Sequence, residues 1–220
     1  MLSKNQKISL VVIAVVVIGL YVFFNKQMVS NTQNPSGKVA TTTSITGDYK
    51  IEAVPMSNSG LPQPMPDLNR PVKVSGSTSV SADALVRATE GILLMQSKLK
   101  QDPKNVMAWL DLGIYQKMAG DYEGAKISWE YVTKLAPDDF IAYGNLGNLY
   151  GYFLSDKVKA ESYYKLAISK NQKQANLYIQ LSEIYQYMFK DLSKAKAVIE
   201  DGLKQLPQDE NLLKAKASFT

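Results

Sequence analysis

The sequence predicts an all-α protein: a solenoid of three helix-turn-helix units, carried on a long polar arm behind one apolar N-terminal segment. Three observations predict it. An aromatic–leucine–small motif recurs at intervals of 34 and 35 residues, at Trp109, Tyr143 and Tyr178. A run of 17 residues without a charge, Ile8 to Phe24, lies near the start. Between the two, the composition turns to Ser, Thr, Asn, Gly and Pro.

The first element is residues 8–24 (ISLVVIAVVVIGLYVFF), with Lys4 and Lys7 before it and Asn25-Lys26-Gln27 after it. As a helix it would span roughly 26 Å at about 1.5 Å per residue, close to the roughly 30 Å hydrocarbon core of a bilayer. In lipid every backbone group must be paired internally, so Ile and Val form helix there despite their weak propensity in water. Tyr21, Phe23 and Phe24 fall where an interfacial aromatic belt would be. A cleaved signal peptide is the rival reading, but no small-x-small cleavage pattern follows the apolar core. The expectation is therefore an uncleaved transmembrane helix in contact with the lipid bilayer. Residues 1–7 would form a short cytoplasmic tail, and the rest of the chain would lie on the outer (periplasmic or extracellular) side. The charge asymmetry behind this orientation is small.

Residues 25–82 read as a disordered Ser/Thr/Pro-rich linker, because such a segment cannot bury enough apolar surface to offset its ordering entropy. As a flexible coil its 58 residues give an end-to-end distance of about 40–45 Å. A competing reading has the segment Leu61 to Pro66 docking on the chain's own domain or a partner. Tyr49 to Val54 alternates like a strand, but one isolated strand has nothing to pair with.

Residues 83–220 are the folded domain. Three residues after each motif aromatic comes Leu112, Leu146 or Leu181, then the small residue Gly113, Gly147 or Ser182. Ala125, Ala160 and Ala195 follow at 35-residue intervals, each four residues after Asp121, Asp156 or Asp191, and Trp129, Tyr164 and Ile199 come four later. An aromatic and a leucine three apart share one helical face. The small residue lets a second helix approach, aspartate N-caps that helix, and Pro137 and Pro207 stop it. Each unit is thus a helix A, a turn and a helix B.

These motifs resemble the tetratricopeptide repeat family. Repeat 106–139 matches as AWLDLG, GDYEGA, Trp129 and LAPDD; repeat 140–174 as AYGNLGNLY and KAESYYKLA; repeat 175–208 as LYIQLSEIY, LSKAKAVIEDGL and LP. Gln172 stands where proline is usual, and Gln116 where tyrosine is. Units two and three each carry one extra residue in the A–B turn (FLSDK and FKDLS against AGD), which predicts a shifted turn. The resemblance implies a right-handed α-solenoid, for which three units are just enough to bury a continuous core. Residues 81–101 read as an N-terminal capping helix and 210–218 as a short C-terminal one.

The resemblance also implies a function: binding of a protein or peptide partner in the concave groove lined by the A helices. The positions carried over are Met107, Leu110, Ile114, Lys117 and Met118 from unit one. Unit two supplies Ile141, Asn145, Asn148 and Tyr152, with Gly144 and Gly151 beside them. Unit three supplies Asn176, Ile179, Glu183, Gln186 and Tyr187. The lysine–asparagine arrangement that clamps a peptide carboxylate in chaperone-binding members is echoed only by Asn145 and Asn148. The groove would be apolar and aromatic at one end and polar-amide at the other. An alternative packs Met107, Leu110 and Ile114 beneath the capping helix.

Composition narrows the function further. The chain has no histidine and no cysteine, which removes imidazole proton transfer, thiol nucleophiles and thiolate metal sites. Asp138-Asp139 and Asp209-Glu210 sit where acidic residues favour the next helix N-terminus, so no enzyme and no cofactor are expected. The formal charge of +5 would suit nucleic acid, but residues 83–220 hold 18 basic and 17 acidic side chains. The excess belongs to the arm and anchor, and no nucleic-acid partner is expected. The function expected is a membrane-anchored interaction scaffold in envelope complex assembly; the rival is a self-associating structural component, a homo-oligomer.

Overall fold

A computed structural model describes residues 44–46, 49–51, 60–76 and 80–219. The apolar run 8–24 and the tail before it lie outside the described residues. Among the described residues, no helix is long and apolar enough to cross a membrane.

Two three-residue strands, β1 (Ser44–Thr46) and β2 (Tyr49–Ile51), pair antiparallel with Ser44 opposite Ile51. The strand read at Tyr49 therefore has a partner just upstream, which sequence alternation alone did not reveal.

From residue 82 onward the chain is built of helices. Helix α1 spans Ala82–Gln101. The first unit is α2 (Val106–Met118) and α3 (Tyr122–Leu135). The second is α4 (Phe140–Tyr152) and α5 (Lys157–Lys170). The third is α6 (Ala175–Glu183), continued by a π-helical turn over Ile184–Phe189, and α7 (Leu192–Gln205). Helix α8 (Glu210–Ala217) follows. The capping helices are each one residue shorter than expected, because Ser81 is the N-cap of α1 and Ser218 the C-cap of α8.

The periodic residues have the roles their chemistry requires. Asp121, Asp156 and Asp191 cap α3, α5 and α7, accepting from Gly124, Lys159 and Lys194 backbone N–H groups at 2.9–3.0 Å. Asp139 and Asp209 cap α4 and α8 in the same way. The motif aromatics are buried, and each donates back to a carbonyl six residues upstream: Trp109 Nε1 to Pro103 at 3.0 Å, Tyr143 Oη to Pro137 at 3.2 Å and Tyr178 Oη to Gln172 at 3.0 Å. Where Gln116 replaces tyrosine, its Oε1 accepts from Ser128 Oγ at 2.6 Å inside the core.

The extra residue of units two and three is absorbed in two ways. In all three units the residue before the capping aspartate is left-handed: Gly120 at φ 78°, Ser155 at 55° and Lys190 at 58°. The aspartate N–H then reaches back five residues in unit one (Asp121 to Gln116) and six in the others (Asp156 to Tyr150, Asp191 to Tyr185). In unit two the wider loop stays in the turn, as expected. In unit three it widens the end of the helix itself into π geometry. Left-handed backbone is unfavourable for residues with a Cβ. Ser155→Gly and Lys190→Gly should each raise stability by roughly 1 kcal/mol, less what glycine adds to unfolded-chain entropy. Urea unfolding of each variant measures it.

The arm departs most from expectation. Residues 60–75 are not a free tether: Leu61 and Leu68 are buried, and Leu68 belongs to the cluster that contains Ala88, Trp109 and Trp129, with Val72 packed on it. Ser75 N–H donates to the Gly120 carbonyl at 2.9 Å. Arg70 grips Asp121 with both guanidinium nitrogens, Nη1 to Oδ2 and, at 2.9 Å, Nη2 to Oδ1. Asp121 is fully buried, whereas Asp156 and Asp191 pair with exposed Lys159 and Lys194 on their own helices. The bidentate pair raises Arg70 above the usual guanidinium range, chiefly through its hydrogen bonds to Asp121. Docking of this segment on the chain's own domain is the arrangement present.

Candidate functional site

Repetition brings α2, α4 and α6 side by side, so their exposed residues line one face. Met107, Ile114 and Met118 on α2 are exposed, as are Ile141 and Tyr152 on α4. Tyr187, beyond α6 on the π turn, is 60% exposed. Lys117, Asn145, Asn148, Ile179, Glu183 and Gln186 are partly buried among them, and Asn176 stands at the start of α6. The alternative that put Met107 and Ile114 beneath α1 does not hold.

Leu110 does not belong to the groove. It is 1% exposed, and its carbonyl accepts from Trp129 Nε1 at 3.1 Å. Its counterpart one unit on is Gly144, where an added Cβ would meet Leu177 of α6 at 3.1 Å. Leu110 is therefore enclosed by protein, whereas Gly144 lines a pocket between α4 and α6. Gly151 is buried against Ile184.

Two polar contacts tie neighbouring repeats across the groove floor. Lys117 Nζ donates to Asn148 Oδ1 at 3.2 Å, and Tyr152 Oη donates to Glu183 Oε2 at 3.0 Å. Phe153, part of the longer turn of unit two, stacks obliquely on Tyr122 at 4.9 Å and receives Lys117 Nζ 5.4 Å from its ring centroid. Burial lowers the Lys117 ammonium below the ordinary lysine range.

A pocket of about 270 Å³ opens between α4 and α6, lined by Lys117, Ile141, Asn145, Asn148, Asn176 and Gln180 among others. Its walls carry amides and one cation with no carboxylate. Asn145 Nδ2 is shielded from solvent and has no hydrogen-bond partner among the described residues. A buried unpaired donor costs about 1–3 kcal/mol. The pocket thus combines these amides with the apolar Phe140, Ile141 and Leu177. Gln180 was missed; it lies one position after Ile179, on the flank turned toward α4.

Tyrosines whose hydroxyls are shielded from water govern the alkaline pH response. Burial raises Tyr143, Tyr152, Tyr164 and Tyr178, and pushes Tyr185 up to about 12. Each keeps its proton in the folded state at pH values where the unfolded chain, with tyrosine near 10, has lost it. Stability from these groups is complete below pH of about 10 and falls as pH rises through the raised values. Lys117 acts in the opposite direction over its own window, but it is one group against several. Thermal melting should therefore vary little from about pH 6 to 9, helped by the absence of histidine, and fall steeply above about 10. An unchanged melting temperature at pH 11 would contradict this.

No protein-family model and no curated protein matches the chain. Among solved structures, it is similar to MamA at 23% identity, over 64% of this chain and 84% of that one, with a TM-score of 0.50. It is also similar to TTC0263, a thermophilic TPR protein in Thermus thermophilus, at 19% identity over 62% and 79% of the two chains, with a TM-score of 0.50. The fold is thus an α-solenoid of tetratricopeptide-repeat type.

Proposed function

We propose that this chain is a membrane-anchored scaffold whose groove holds an extended or amphipathic peptide segment of a partner protein. The observation that carries the reading is a carboxylate-free pocket lined by Lys117, Asn148, Asn176, Gln180 and exposed Ile141, on a face that also exposes Ile114 and Tyr152. Peptide carbonyl oxygens suit such donors, and apolar side chains suit the flanks. Residues 8–24 supply the transmembrane helix, with residues 1–7 cytoplasmic and the repeats on the outer side. Assembly of an envelope complex is the role that such placement favours. With residues 60–75 held against the repeats, residues 25–59 are what remains to act as tether.

Charging the groove tests it. Ile114→Glu with Ile141→Glu should abolish partner capture from membranes while leaving circular dichroism and melting temperature near those of the parent, since both residues are exposed. Equal capture of the same proteins by parent and variant would reject the groove. Leu110 is unsuitable for this purpose because its substitution would disrupt the core.

A further inference from the structure

Both ends of the helical array depart from the repeat in complementary ways. Helix α1 is a B helix: Pro103 precedes Trp109 by six residues, as Pro137 precedes Tyr143, and the same junction hydrogen bond closes both. Through the 34-residue shift, Leu94 corresponds to Ser128 and Lys98 to Val132, which are buried in α3. In α1, Leu94 is 54% exposed and Lys98 is exposed, since among the described residues no A helix packs there. The adjoining side of α2 is open too. Tyr115 stays partly exposed, although its counterparts Leu149 and Ile184 are fully buried, Ile184 against Gly151 of the preceding A helix.

Helix α8 is the reverse case. Capped by Asp209 as α4 is capped by Asp139, it is an A helix. Leu213 stands at the position of Trp109, Tyr143 and Tyr178, yet is 45% exposed, with no B helix over it among the described residues.

We infer that α8 of one copy seats on α1 and α2 of a second copy, as the A helix that α1 lacks, so that copies join head to tail. The register supplies the pairing. In the third unit a Cβ at Gly202 of α7 would lie 3.1 Å from Tyr178 Cβ of α6. Gly202 corresponds to Lys98, and Tyr178 to Leu213. The Lys98 stem would therefore cover Leu213 beside Leu94, and Glu210, one turn before Leu213, would bring a carboxylate to the Lys98 ammonium. The two surfaces differ and lie at opposite ends, so the contact is heterologous and each copy can join two others.

The chain has no native cysteine, so engineered pairs report cleanly. Full-length Lys98→Cys and Leu213→Cys variants, mixed in mild detergent and oxidised, should give a disulfide-linked dimer. The double variant should give a ladder of dimer, trimer and higher species. Adding Leu94→Glu should cut the ladder by roughly tenfold, the effect of about 1.4 kcal/mol. Monomer throughout would overturn the proposal. So would Lys98→Cys crosslinking to itself as readily as to Leu213→Cys, or an equal yield from a Glu123→Cys and Leu213→Cys pair.

Discussion

Replacing Arg70 with alanine is expected to destabilise the domain by about 3–5 kcal/mol, the usual consequence of stranding one member of a buried ion pair. Asp121 is fully buried, and Arg70 is its one cationic partner among the described residues. One carboxylate oxygen would still accept from Gly124 N–H, but the charge would be left without a counterion. Because domains of this size are stable by about 5–15 kcal/mol, the urea midpoint should fall by a large fraction of its value. The arm should also become sensitive to proteases near Leu61 and Leu68. Removing both charges in Arg70→Met with Asp121→Asn should recover much of the loss, because the cost lies in the unpaired charge and not in the missing bridge. If Arg70→Ala unfolds at the parent's midpoint, residues 60–75 are not part of the domain.

The second large effect concerns the small residue of each A helix. Gly113 faces Trp129, Gly147 faces Tyr164, and Ser182 accompanies Ile199, so the allowance for a side chain grows as the facing residue shrinks. A Cβ on Gly113 would fall within the Trp129 indole, and one on Gly147 would lie 2.9 Å from the Tyr164 ring. Neither neighbour can move freely, since both are fully buried and Trp129 Nε1 is bonded to the Leu110 carbonyl. Gly113→Ser should cost about 1–3 kcal/mol by overpacking, and Trp129→Ile alone about 3 kcal/mol by opening a cavity. Together they copy the Ser182–Ile199 pair and should be less damaging than the sum, with a coupling energy of roughly 1–3 kcal/mol. Chemical denaturation of the four proteins closes the cycle; strict additivity would mean the two positions do not compete for the same space.

The repeat was legible because each of its marks is a local necessity. Trp109, Leu112 and Gly113 fall on one helical face, and Asp121 must precede α3 to cap it. The arm was illegible for the opposite reason. An extended segment has no internal hydrogen-bond period, and its hold on the domain rests on a side chain 51 residues from its partner. One sign was present: Arg70 is one of only two arginines in the chain, and it stands in an otherwise polar, proline-rich stretch. Among the residues expected in the groove, Leu110 is buried. Helical periodicity places Leu110 on the same face as its counterpart Gly144, which lines the pocket, but cannot show that the Leu110 side chain is enclosed.

Site-specific photocrosslinking tests the central claim, that the A-helix groove holds a partner's peptide segment. A benzophenone amino acid would replace Tyr152, which lines the groove, or Val158, which is 62% exposed at the start of α5 on the B-helix side. With the full-length chain in its native membranes, irradiation at position 152 should join it to a segment of another protein, identified by mass spectrometry, and irradiation at position 158 should not. The same adduct from both positions, or from position 158 alone, would contradict the account.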